Sequence, residues 1–165
     1  MVRSLSNSKY YGVMMNTPIR RQEGLSYWVI EDPDAIYDFI NNEIRKEWIE
    51  DAKNEHQDPK NDPWLKTLPK RKWCLELIEI DRLRLDPEIM SYADKSRGYV
   101  FQERLEQRRC ELEKAVRNFG AVIWPLVARE EDLQLVDGYC RYAMLRAMNV
   151  SKVYVYVGRL GAVQA

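Results

Sequence analysis

One segment restricts the fold of this chain more than any other: Leu133-Gln134-Leu135-Val136-Asp137-Gly138-Tyr139-Cys140-Arg141-Tyr142-Ala143. Residues 133–136 are rich in apolar side chains and predict a short strand. Asp137 and Gly138 are turn formers, and the apolar spacing from Gly138 to Met148 predicts a helix. The segment therefore predicts a fold in which a sheet carries helices, joined here by a sharp glycine turn.

Further elements are predicted on both sides of this segment. Trp73, Leu75 and Leu77 alternate with polar neighbours and predict a strand through residues 75–78. A helix is predicted from about Val100 to Phe119, with Gly120 as its stop. Its predicted core face has six members: Phe101, Leu105, Leu112, Ala115, Val116 and Phe119.

Two more strands complete the predicted sheet. Residues 121–127 form an apolar run, and Pro125 within it predicts an edge position because proline cannot donate to a ladder. Val153, Val155 and Val157 predict a last alternating strand, with Tyr154 and Tyr156 on its opposite face. The predicted fold class is mixed α/β (α+β), a small mixed sheet flanked by helices.

The N-terminal part is predicted to be a helical extension. Asp32-Pro33-Asp34 is a helix start, because aspartate caps helices and proline suits the first turn. Steps of three and four predict that this helix buries five residues: Ile36, Phe39, Ile40, Ile44 and Trp48. Residues 57–63 contain two prolines and are predicted to be a linker. The predicted division is residues 1–63 for extension and linker, and 73–160 for the domain.

Composition excludes several functional classes. Lys and Arg number 26, as do Asp and Glu, so a zero net charge argues against non-specific coating of nucleic acid. Three cysteines and no obvious signal or membrane-spanning stretch predict a cytoplasmic protein with no membrane partner. The single histidine, His56, is predicted to be a surface residue. The sequence has no P-loop, G-x-G-x-x-G or H-E-x-x-H motif.

The glycine turn is the candidate site. The first amides of a helix lack intrahelical acceptors, and the helix dipole adds positive charge there. Gly138 permits close approach of a ligand, and Arg141 in the first turn can fork onto phosphate oxygens. Asp137, just before the turn, is a candidate to bind Mg²⁺ or orient a hydroxyl. The same residues also fit an ordinary N-cap and a solvated arginine.

An ordered set of residues resembles the ParB/sulfiredoxin superfamily. The set runs Leu112…Phe119-Gly120…Pro125-Leu126-Val127…Leu135-Val136-Asp137-Gly138-x-x-Arg141-x-x-x-Leu145…Val153-x-Val155-x-Val157. The resemblance covers about residues 73–158 and implies a ParB/sulfiredoxin-like domain. It also implies that the turn binds nucleotide phosphates, lined by Gly138, Tyr139, Cys140 and Arg141. The implied cofactors are a nucleotide, whether ATP, ADP or CTP, and Mg²⁺.

Among stand-alone members, the turn is most similar to that of free-serine kinases, which have D-G-H-H-R. Here the two histidines are Tyr139 and Cys140. The kinases also have a glutamate that acts as base, and Glu88 stands in a similar context. Sulfiredoxins have a catalytic cysteine directly after the glycine, where this chain has Tyr139. Cys140, one place later, lies near a helix start and Arg141, an environment expected to lower its thiol pKa.

Three functions stay open at this point. The first is phosphoryl transfer or nucleotide hydrolysis, with Glu88 and Asp137 as catalytic residues. The second is a ParB-like regulator or adaptor that binds DNA or a protein partner without catalysis. The third, a nuclease, comes only from family members with that label. Glu88 also fits a plain turn carboxylate, and Cys140 a half-buried residue without chemistry.

Overall fold

The computed structural model describes residues 16–54 and 63–161. The predicted linker and His56 lie outside these residues, except that the last linker residue, Pro63, begins a helix. The eight strands of the described part are β1 (Ile19–Gln22), β2 (Leu25–Trp28), β3 (Arg71–Glu79), β4 (Ala93–Asp94), β5 (Tyr99–Val100), β6 (Leu126–Arg129), β7 (Leu135–Asp137) and β8 (Lys152–Leu160). Its α-helices are α1 (Pro33–Phe39), α2 (Arg45–Asn54), α3 (Pro63–Thr67), α4 (Pro87–Met90), α5 (Phe101–Phe119) and α6 (Tyr139–Ala147). A π-helical turn, Ile40–Ile44, joins α1 to α2.

The central sheet has the strand order β3-β8-β6-β7. β3 and β8 pair antiparallel over their full lengths, from Arg71 opposite Leu160 to Glu79 opposite Lys152. β8 pairs parallel with β6, and β6 pairs antiparallel with β7. A mixed sheet with helices around it confirms the predicted α/β mixed class. Because β8 lies inside the sheet, both its valine face and Tyr156 are buried.

The predicted edge position of the Pro125 strand is wrong. β6 begins at Leu126 and lies between β8 and β7, in the interior of the sheet. Pro125 precedes the first paired residue, so its missing N–H does not interrupt the ladder. Upstream of it, Ile123 exchanges backbone hydrogen bonds with the β2 strand, where Ser26 O accepts from Ile123 N and Ile123 O accepts from Trp28 N, both at 2.9 Å.

The face of the sheet that carries α5 and α6 holds the larger core. Val116 of α5 and Met144 and Leu145 of α6 pack there with the valines of β8. Gly120 ends α5 as predicted, with a φ of 63° and its N–H bonded to Val116 O. The prediction that Phe119 belongs to the core face is wrong, since it is 86% exposed. Gly120 turns the chain so that Ala121 packs on this core instead.

The other face of the sheet is covered by the predicted N-terminal extension. Asp32 caps α1 by accepting from Ala35 N at 2.9 Å, as the sequence predicts. Four of the five predicted residues are buried against Trp73, Trp124 and Tyr156 of the sheet layer: Ile36, Phe39, Ile40 and Ile44. The fifth, Trp48, is partly buried. The extension and the sheet thus share one apolar cluster.

A hairpin of β1 and β2, which the sequence pattern did not suggest, precedes these helices. Its two-residue turn, Glu23-Gly24, has a positive φ at both positions, 49° and 80°. Turns of this kind match the twist of a hairpin. The Glu23 carboxylate accepts hydrogen bonds from the Ser151 and Lys152 N–H groups at the start of β8. The turn is thereby tied to the central sheet.

Candidate functional site

The candidate site is built on Gly138, which begins α6. Its φ of 100° lies in the region that favours glycine. A Cβ added here would lie 2.7 Å from Leu126 Cδ2 and 2.9 Å from Arg141 Nη2. No described side chain caps the helix start. Glycine is therefore required here for two reasons: the backbone conformation of the turn, and the Arg141 side chain that passes close to it.

The Arg141 guanidinium folds back onto the protein. Nη1 donates to the carbonyls of Trp124 and Pro125 at 3.0 and 3.1 Å, and Nη2 lies 2.9 Å from Asp137 Oδ2. These contacts use three of the five N–H donors that a guanidinium has. The side chains of Arg141 and Asp137 are only 14% and 12% exposed. Arg141 thus joins the entry to β6, the end of β7 and the start of α6.

Tyr139 points into the core. Its hydroxyl donates to Leu135 O at 3.1 Å and accepts from Asp86 N at 3.0 Å, and its ring lies edge-on to Phe101. Burial raises the pKa of this hydroxyl to about 12. The contribution that Tyr139 can make at the helix start is its backbone N–H. Its side chain ties the residues before α4 to α6.

Cys140 departs from the expectation of an activated thiol. Burial raises its pKa, and the opposing effects of Arg141 and Arg108 are smaller. The expectation that the helix start and Arg141 would lower the pKa is wrong, because desolvation disfavours the thiolate more than these charges favour it.

Arg108 of α5 is a further cation beside the start of α6, and its sequence context does not separate it from the other arginines of that helix. Its guanidinium and the Cys140 thiol lie close enough to interact electrostatically. Burial lowers the pKa of Arg108, and its Nη1 atom is buried with no hydrogen-bond partner among the residues that the structure describes. The next residue, Arg109, is paired with Glu106 at 2.9 Å and Glu113 at 3.2 Å. The two neighbouring arginines therefore differ in their surroundings, because Arg108 lies beside α6 and Arg109 forms ion pairs along its own helix.

Glu88 lies in α4, whose N-cap Asp86 accepts from Glu88 N at 2.9 Å. The side chain of Glu88 is exposed. The hydrogen bond between Asp86 N and Tyr139 holds the start of α4 beside the start of α6. The two chain segments that carry the predicted base and the predicted phosphate turn are therefore neighbours.

The carboxylate of Asp137 is poorly suited to bind Mg²⁺, because both of its oxygens already have partners within the protein. Its Oδ2 is paired with Arg141, and its Oδ1 accepts from Trp48 Nε1 at 3.4 Å. Within residues 16–54 and 63–161, no group of three or more His, Cys, Asp and Glu side chains could hold a metal ion. The contacts of Asp137 instead suit the orientation of Arg141.

Within residues 16–54 and 63–161, no helix has the length and apolar character needed to cross a membrane.

Comparison with known proteins gives a weak structural likeness. No protein-family model matches the sequence, and no curated protein matches it. A solved pNOB8-like ParB N-domain is 24% identical, with a TM-score of 0.38, over 58% of this chain and 31% of that chain. The C2221 form of a pNOB8-like ParB-N domain is 23% identical, with a TM-score of 0.39, over 56% and 32%.

The chain thus spans about a third of the length of these solved chains. At these TM-scores and identities the likeness assigns neither a family nor an activity to this chain. It has no bearing on the similarity of the turn to that of free-serine kinases.

Proposed function

We propose that this chain binds a nucleotide through its phosphates at the start of α6. The donors are the backbone N–H groups of Tyr139, Cys140 and Arg141 together with the Arg108 guanidinium. The observation that carries the proposal is the buried Nη1 of Arg108, which has no hydrogen-bond partner within residues 16–54 and 63–161 and lies on the helix packed against α6.

The electrostatics at this position favour an anion. A helix start presents N–H groups without acceptors and partial positive charge. A buried guanidinium nitrogen without a partner has a free-energy cost that a phosphate oxygen would relieve. The resemblance of the turn to the ParB/sulfiredoxin superfamily supports a nucleotide, whether ATP, ADP or CTP, as the source of the phosphate.

Arg141 and Asp137 have supporting roles in this proposal. The Arg141 guanidinium holds the glycine turn in shape through Trp124 O and Pro125 O. Asp137 keeps Arg141 in place rather than holding a metal. Any Mg²⁺ would therefore arrive on the nucleotide.

A thermal-shift panel of ATP, ADP, CTP and GTP, with and without Mg²⁺, tests the proposal. A ligand at 100 times its Kd stabilises the folded state by about 2.7 kcal/mol and raises the Tm. Arg108→Ala should remove the increase. Arg104→Ala on the same helix is the matched control and should retain it, since that guanidinium lies over the Tyr99 ring. No increase with any nucleotide, or an equal increase in Arg108→Ala, would contradict the proposal.

Phosphoryl transfer or nucleotide hydrolysis is the second candidate function. It is favoured by the hydrogen bond that ties Asp86, two residues before Glu88, to Tyr139 at the start of α6. Glu88 would take the proton from the attacking hydroxyl or water as general base. Turnover of a nucleotide should then be lost in Glu88→Gln while binding persists. Normal turnover in that variant removes Glu88 from the mechanism, and binding without any turnover favours a regulator or adaptor.

A further inference from the structure

The outer edge of β3 belongs to a different part of the fold from the start of α6. β3 is the first strand in the sheet order, and no strand within the described ranges pairs with its outer edge. At the opposite edge of the sheet, β7 forms backbone hydrogen bonds with a residue outside the four strands. There Arg84 covers β7, with Arg84 N bonded to Leu133 O at 3.0 Å and Leu135 N to Arg84 O at 2.8 Å.

On one face of β3, two opposite charges lie at equal distances on either side of Cys74. Successive side chains of a strand alternate between faces, so Lys72, Cys74 and Glu76 share one face. Lys72 and Glu76 are exposed, and Cys74 is half-buried between them. On the other face Leu77 is 44% exposed.

We propose that β3 pairs antiparallel with β3 of a second copy of this chain, about a two-fold axis at Cys74. In this register each Lys72 lies opposite the Glu76 of the other protomer, and the two Cys74 residues face each other. The sheets of the two protomers then form one continuous sheet, and Leu75 lies opposite Trp73 on the other face.

Charge complementarity selects both the occupant and the register. A two-fold axis perpendicular to the sheet keeps each side chain on its own face, so the axis must pass through a residue. An axis at Glu76 would place two carboxylates opposite each other, which is destabilising. An axis at Leu75 would leave Lys72 opposite Ile78 and Glu76 opposite Cys74, so neither exposed charge would be paired. Only the axis at Cys74 neutralises both exposed charges of this face.

Sedimentation velocity over a concentration series tests the proposal on the full chain. The wild-type chain should form a dimer. Glu76→Lys places lysines opposite each other at two symmetric positions and should raise the dissociation constant by at least about tenfold. The double variant Lys72→Glu/Glu76→Lys should restore the dimer. Glu79→Lys is the matched control: it makes the same charge change on β3 beyond the paired residues and should leave the dimer unchanged.

Cysteine cross-linking tests the register independently. Diamide, which takes up two electrons and two protons as two thiols become a disulfide, should link the protomers through Cys74. The link should persist in the Cys110→Ser/Cys140→Ser variant and disappear in Cys74→Ser. A monomer at every concentration, a dimer that Glu76→Lys does not weaken or Glu79→Lys weakens equally, or a link through another cysteine would overturn the proposal. Circular dichroism of each variant confirms that the fold is retained.

Discussion

Replacing Gly138 with alanine tests how the turn is built. Two costs add in this variant. A residue with a Cβ at a φ of 100° is strained by roughly 1–2 kcal/mol. The new Cβ would also lie 2.7 Å from Leu126 Cδ2, and Leu126 is fully buried, so the contact is relieved only by shifting packed atoms. Overpacking of this kind costs about 1–3 kcal/mol.

The sum predicts that Gly138→Ala lowers the free energy of unfolding by about 2–5 kcal/mol. For a chain of this length the Tm should fall by roughly 4–20 °C. Urea denaturation followed by circular dichroism measures the free energy directly. Gly120→Ala is the matched control, because Gly120 has a φ of 63° but nothing within 4 Å of an added Cβ. It should show the backbone cost alone, about 1–2 kcal/mol.

A double-mutant cycle identifies the part of the cost due to Arg141. The added Cβ also lies 2.9 Å from Arg141 Nη2, so the guanidinium must move in Gly138→Ala. Arg141→Ala should therefore cost less in the Gly138→Ala background than in the wild type. Equal costs for Gly138→Ala and Gly120→Ala, or strict additivity in the cycle, would refute the reasoning that Gly138 is required by the passage of Arg141.

Three further predictions concern single side chains. Arg141→Ala alone should cost about 2–4 kcal/mol in urea denaturation, because it leaves buried Asp137 without its cation and two carbonyls without their donor. Backbone hydrogen bonds lower the pKa of Glu23 from 4.5 to about 2. The stabilisation by its carboxylate is therefore complete above pH 4.5 and is lost as the pH falls toward 2. The wild type and Glu23→Gln should differ in the free energy of unfolding at neutral pH and converge in acid. Because burial raises its pKa, the Cys140 thiol should react slowly with iodoacetamide at neutral pH and faster in urea, as mass spectrometry of the labelled peptide would show. A fast reaction in the native protein would contradict the buried position.

The candidate site was only partly predictable. The positive φ of Gly138 and its place at a helix start follow from a glycine between an apolar strand and an apolar helix. The partners of Arg141 do not, because Trp124 and Pro125 are brought to it by the pairing of β6 with β7. Arg108 is indistinguishable from Arg109 in the sequence. The packing of α5 on α6 leaves one guanidinium with a buried nitrogen and the other in surface ion pairs.

The sequence by itself determined several of the helices and strands of this chain and where some of them begin or end. Asp32 before α1, Gly120 after α5 and the alternating valines of β8 act on their near neighbours, so their effects can be predicted locally. Tertiary structure alone decided that β6 lies inside the sheet, that Ala121 rather than Phe119 completes the core, and that the Arg141 guanidinium binds carbonyls of its own chain. These outcomes depend on contacts between residues far apart in sequence, and such contacts leave no mark in local periodicity.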